Sequence, residues 1–249
     1  MQTRDQTEDL LRQGRPASWT PFLLALALLV AVVTYGIAIY DSIPEQVAMH
    51  YGPGGEATRW EDKSPGTVFL PLLMSMAGLF PLPIVAAVLP SFTTVPDDAS
   101  DWARMRIEGS TRGTRSGLGW SAVLVVVLVG GLSLQIWHGA EQIGTWPIVL
   151  FMLAMLPALW LAYRRWRRWA RRTAGLHGIH PSPEEEAEDR LWLPLGIYNN
   201  PEDPRVFPPK REGYGVGTTV NVATRGGRVF AVGLIAVIVV PIALIVWLG

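Results

Sequence analysis

The chain has 249 residues, 49% of them hydrophobic and only 17% charged, where an ordinary soluble domain carries about a quarter. Its 21 basic and 21 acidic residues balance to zero, so overall charge says nothing about a nucleic-acid partner, and there is no cysteine. That excludes disulfide staples, thiolate metal sites and thiol catalysis, while the long uncharged runs between polar stretches mark segments that must lose contact with water.

In chain order, residues 1–18 form a polar tail with Arg4, Arg12 and Arg15. Crossing a hydrocarbon core takes ~20 apolar residues, and five stretches qualify: Trp19–Tyr40, Thr67–Leu89, Leu118–Trp137, Trp146–Tyr163 and Val229–Leu248. The first exceeds the usual apolar core of a signal peptide and no clear cleavage site follows it, so it reads as a span. Trp19, Tyr40, Trp120, Trp137, Trp146, Tyr163 and Trp247 sit near span ends, where an amphipathic ring prefers the headgroup level. Pro81 and Pro83 remove backbone donors inside the second span and predict a bend there. The expected fold class is an all-α integral membrane protein with five transmembrane helices and a small, mostly irregular cytoplasmic segment between the fourth and fifth.

Orientation follows from the arginines. They crowd the tail, the loop 91–117 (Arg104, Arg106, Arg112, Arg115) and the segment 164–228, while the other two loops hold only Arg59 and Lys63. The positive-inside rule then places the N-terminus in the cytoplasm and Gly249 outside. The expected organisation is a cytoplasmic tail 1–18, a two-span domain 19–90 with outer loop 41–66, a cytoplasmic loop 91–117, a two-span hairpin 118–163, the cytoplasmic segment 164–228 and a fifth span 229–249. The arginine-, alanine- and glycine-rich composition points to a bacterial genome of high GC content and hence to the bacterial inner membrane.

In the outer loop, Ser42 and Glu45 have capping-box spacing, but Pro44 and the following Val-Ala-Met fit a short extended piece equally well. Gly52-Pro53-Gly54-Gly55 is a turn. Beyond the fourth span, Tyr163, Trp166, Trp169 and Thr173 form one helical stripe flanked by Arg167, Arg168, Arg171 and Arg172, the pattern of an anchor on anionic lipid; nucleic-acid binding is the disfavoured alternative. Ser182-Pro183-Glu184-Glu185 starts a helix whose acidic face is solvated or paired with the arginine run. His177 and His180 lie three apart but are separated by Gly178 and followed by Pro181, so no metal site is expected. No catalytic residue and no cofactor are expected either. Gly213, Gly215 and Gly217 lack the strand and the lysine-serine pair of a phosphate loop. No ionisable group lies well inside a span, which weighs against a coupled transporter.

Ile43, Pro44, Val47, His50, Tyr51, Gly55, Trp60 and Lys63 follow the pattern of the SdpI-type family of bacterial membrane proteins (domain of unknown function 1648), which the first two spans and their loop resemble. The three residues Pro53-Gly54-Gly55 replace the family's usual Asn-containing turn. Residues 192–221 resemble a second small domain (domain of unknown function 5808) through Trp192, Gly196, Tyr198, Asn200, Asp203, Pro204, Arg205, Phe207, Lys210, Arg211, Gly213, Gly215 and Asn221. The resemblance implies a non-enzymatic receptor or immunity-type protein that relays an outside signal to a cytoplasmic partner. Sensing would fall to His50, Tyr51, Trp60 and Lys63, and docking of another membrane or cytoplasmic protein to Trp192, Asp203, Arg205, Lys210 and Arg211. The alternative is an accessory subunit of a larger respiratory or transport assembly.

Overall fold

The computed structural model describes residues 4–52, 54–93 and 95–248; Pro53 of the expected turn and Gly249 lie outside the described residues. In chain order the elements are α1 (Arg4–Arg12), α2 (Thr20–Ala38), β1 (Gln46–Tyr51), β2 (Ala57–Asp62), α3 (Pro65–Leu79), α4 (Pro81–Val88), α5 (Asp101–Trp137), α6 (Trp146–Leu176), α7 (Pro183–Arg190) and α8 (Arg225–Leu248). Among the described residues, four helical stretches are long and apolar enough to cross a membrane: Gln6–Ala38, Pro65–Phe92, Asp101–Trp137 and Trp146–Leu176. The fifth predicted span falls on α8, several of whose side chains, the Trp247 ring among them, lie outside the described residues.

The chain forms two compact units. One contains Met1–Thr20, Val85–Leu118 and Ala158–Ala236; the other contains Pro21–Ile84, Gly119–Pro157 and Val237–Gly249.

In the second unit the helix is interrupted at the predicted prolines: α3 ends at Leu79 and α4 restarts at Pro81, whose missing N–H cannot continue the ladder. Ser64 caps α3 in a reciprocal box with Thr67. Residues 41–66 depart from an all-helical chain. Antiparallel strands β1 and β2 pair Val47 with Glu61 and Ala48 with Trp60, with irregular register around His50. Val47 and Ala48 are buried while Gln46 and His50 are exposed, and the residues pair as a strand and do not form a capped helix. The hairpin rests on Ile43, Val47, Val68, Leu72 and Trp137, which form one apolar cluster.

The first unit holds two differences from the sequence reading. The tail is folded: Leu10 of α1 packs with Trp102, Met105, Ala174 and Ile179. The expected loop 91–117 is helical from Asp101 onward, because α5 begins there and runs unbroken to Trp137. Its arginines point inward. Arg112 is 0% exposed, giving hydrogen bonds to Glu108 and to the carbonyls of Leu11 (2.7 Å) and Gln13 (2.9 Å). It thereby closes the carbonyl end of α1, whose last groups have no partner within their own helix. Its guanidinium also lies 3.8 Å from the Trp169 ring. Arg115 donates to Ala86 O and Ser18 Oγ, and Arg104 to the carbonyls of Pro96, Asp97 and Ala99. Three arginines that set the predicted topology therefore also hold this unit together.

Candidate functional site

Two places gather the residues singled out by the sequence, one in each unit. On the hairpin, positions that match the motif divide into scaffold and display. Lys63 Nζ donates to Ile43 O at 3.0 Å and to Glu45 Oε1 at 2.8 Å, with the Tyr40 ring 5.6 Å away. It ties the foot of β2 to the segment around Pro44. Tyr51 donates to Ala140 O, and burial pushes its hydroxyl pKa up. Gly55 has φ +82°, and a Cβ there would lie 2.6 Å from Ile143 O. Only glycine fits both the left-handed backbone and that close approach. The turn is further fixed to the segment before α6, since Ala57 N–H donates to Glu141 O, Ile143 N–H to Gly55 O and Gln142 Nε2 to Gly54 O. His50, Arg59 and Trp60 face outward. The His50 side chain makes no hydrogen bond among the described residues, while its carbonyl accepts from Thr58 Oγ1.

In the first unit a polar cluster joins α5, α7 and the segment after α7. Asp189 Oδ1 accepts from Arg211 at 2.6 Å and from Arg106 at 3.1 Å, and Glu188 Oε2 accepts from Arg211 at 2.8 Å. Arg211 is only 5% exposed. It was expected to dock a partner, but its charge is occupied by these two carboxylates and serves packing. Burial pushes the Asp189 carboxyl above its ordinary value, with Arg106 the main influence pulling it back; burial likewise raises Glu188. Tyr214, beneath the Arg106 guanidinium, is also raised by burial. The cluster was not read from the sequence. The available signal was the mixed composition of α7, where Glu188 and Asp189 follow the capping box that Ser182 and Glu185 do form.

The motif of residues 192–221 turns on Asn221, which is 0% exposed. Its Oδ1 accepts the N–H groups of Asn200 and Ala223, both at 3.1 Å, and its Nδ2 donates to the carbonyls of Asn200 and Asp203, both at 2.9 Å. Trp192 packs on Tyr198 with ring centroids 4.8 Å apart, and Asn200 Nδ2 donates to the Tyr198 hydroxyl. Asp203 is locked to Arg205 by a forked pair at 2.9 and 2.7 Å. The Arg205 side chain, and after it the Arg205 N–H, hold the Asp203 carboxyl below its ordinary value. Gly196 is at φ +73°. Pro204, Arg205, Phe207 and Lys210 remain exposed, Phe207 edge-on to Phe230.

Of the residues expected at a lipid interface, Arg168, Arg171 and Arg172 are exposed and Arg167 and Trp169 half-buried. Trp166 is 4% exposed and faces protein, edge-on to Trp169 and 5.4 Å from Arg112. No group of three or more histidine or carboxylate side chains is placed to hold a metal among the described residues.

Residues 27–75 match a family model, Domain of unknown function (DUF1648). The match begins within α2, takes in the whole hairpin and ends within α3. It therefore covers Pro44, His50, Tyr51, Gly55, Trp60 and Lys63 and none of residues 192–221. No curated protein and no solved structure matches the chain.

Proposed function

We propose that the chain is a non-enzymatic, multi-pass protein of the bacterial inner membrane, of receptor or signal-relay type. It has five crossings, its N-terminus in the cytoplasm, the DUF1648 hairpin outside and residues 164–228 inside. The observation that carries this reading is the way the hairpin is built. Lys63, Tyr51, Gly55 and the bonds to residues 141–143 fix its foot and turn, while β2 presents Arg59 and Trp60 outward. A preorganised strand with exposed side chains, Arg59 paired only with its neighbour Glu61, suits recognition, because little ordering entropy remains to be lost on binding. The resemblance to SdpI-type proteins and to the second small domain over 192–221 supports the same reading. On the inner side, Lys210, Arg205 and Phe207 are the exposed positions left for a partner.

Purification in mild detergent with identification of co-eluting proteins tests the proposal. A receptor should release its partner when Trp60→Ala or Lys210→Gln is introduced and should survive without it. A constant, stoichiometric complex whose loss collapses the chain would favour the accessory-subunit alternative instead.

A further inference from the structure

Two cavities in the first unit share walls formed by Ser110, Tyr163, Trp192, Arg211 and Tyr214. The larger has a volume of about 270 Å³. Around the smaller stand Arg106, Arg167, Arg171 and Arg211 with Asp189 as the one carboxylate, and Lys210 joins the wall of the larger, which has no acid. Asp189 is already shared by Arg106 and Arg211. Arg167, Arg171 and Lys210 make no ion pair among the described residues. Cations gathered on one set of walls repel one another unless a counter-charge stands among them, so this end of the space asks for an anion.

The opposite end has a different chemistry. Gly113, Gly117, Leu118 and Leu159 line the larger cavity. Leu118 opens the predicted third span, and Leu159 lies just inside the predicted end of the fourth. Gly113 and Gly117 bring α5 close to α6: added Cβ atoms would lie 3.3 Å from Tyr163 Cα and 3.1 Å from Leu159 Cδ2. A cationic chamber with Leu118 and Leu159, at the edges of two predicted spans, in its wall has the polarity of a phospholipid. Free phosphate would need only the cationic half.

We propose that this space is a stoichiometric site for one anionic phospholipid. Arg167, Arg171 and Lys210 hold its phosphate, and its acyl chains leave past Gly117, Leu118 and Leu159. The guanidinium fork matches phosphate oxygens, and Ser110 and Thr114 supply hydroxyls in the same walls. Such a site differs from general attraction of the arginine run to a charged surface, because it is finite in number and selective for the headgroup. It does not depend on the receptor reading.

The test uses the full chain in neutral detergent and native mass spectrometry with phosphatidylglycerol, phosphatidylcholine and inorganic phosphate as probes. The expected result is a one-to-one phosphatidylglycerol adduct that phosphatidylcholine does not form and millimolar phosphate does not displace. Arg167→Gln with Lys210→Gln should weaken it by at least about tenfold, since each basic group near anionic lipid contributes on the order of fivefold. Arg168→Gln with Arg172→Gln, outside the cavity, should leave it unchanged. If the melting temperature of the cavity variant falls, Lys210→Gln alone, which breaks no ion pair, repeats the comparison. Equal binding of both lipids, equal weakening by both variants, or displacement by free phosphate would each overturn the proposal, the last by reassigning the site to a soluble anion.

Discussion

Replacing Asn221 by alanine should unfold residues 191–222 locally. The side chain makes four hydrogen bonds to the main chain of Asn200, Asp203 and Ala223. Each bond to a buried group contributes about 1 kcal/mol net, and an unpaired buried group costs more than that. Loss of all four therefore costs roughly 4 kcal/mol, about a thousandfold in the local opening equilibrium. Little else replaces them, since the segment is held mainly by isolated bridges between residues such as Trp192 and Tyr198 and between Tyr198 and Asn221. Hydrogen exchange of the detergent-solubilised protein reads this directly: amides of Tyr198, Asn200 and Ala223 should lose protection while those of α2 and α3 keep it. Asn221→Asp retains the two acceptor bonds but turns a buried carboxylate oxygen on the carbonyls of Asn200 and Asp203, so at neutral pH it should open the segment at least as much as alanine does. Unchanged exchange in both variants would refute the assignment of Asn221 as the centre of this segment.

Arg211→Gln should lower the melting temperature sharply, because breaking a buried ion pair costs about 3–5 kcal/mol, whereas Lys210→Gln should leave it nearly unchanged; equal effects would place both charges at the surface. Gly36→Ala should destabilise the second unit by ~1–3 kcal/mol through overpacking, since its Cβ would lie 2.5 Å from Trp137 and 2.9 Å from Phe69, and Trp137 is pinned by its own bond to Val68 O. The Asp203 carboxyl sits below its ordinary value of 3.8, so its lock on Arg205 contributes above that pH and is lost as pH falls through the lower folded value. Exchange at Arg205 N–H should be flat from neutral pH to 5, once corrected for intrinsic rates, and should rise only below 3.8; a midpoint above that value contradicts the sign. Glu202→Cys, in this otherwise cysteine-free chain, should resist an impermeant thiol reagent added outside intact cells, and labelling there would overturn the inside placement of residues 164–228.

The helices were legible because their signals are local. A run such as Leu23 to Ile37 needs no partner to declare itself, and Pro81 breaks a ladder wherever it stands. The Ser182 capping box was equally readable, since its two partners are three residues apart. What stayed hidden depends on distant pairing. Arg106 meets Asp189 across 83 residues and Arg112 meets Leu11 across 101, so their arginines read as solvated topology markers instead of internal donors. The charge of residues 101–117 likewise concealed a helix, because a polar helix packed on other protein has no apolar run to announce it. On the hairpin, alternation suggested an extended strand but not its partner, because the register depends on β2 and on the turn at Gly55.

The clasp of Arg112 on the carbonyl end of α1 imposes an order on biosynthesis. Its two acceptors are made about a hundred residues before the guanidinium that covers them, and at ribosomal speeds of roughly 5–20 residues per second the gap is about 5–20 seconds. During that interval α1 has no dock, and the first two apolar helices must be made before α5 supplies one. A nascent chain halted short of Arg112 should therefore present α1 to proteases, and one extended past Ile179, which completes the apolar dock of Leu10, should not.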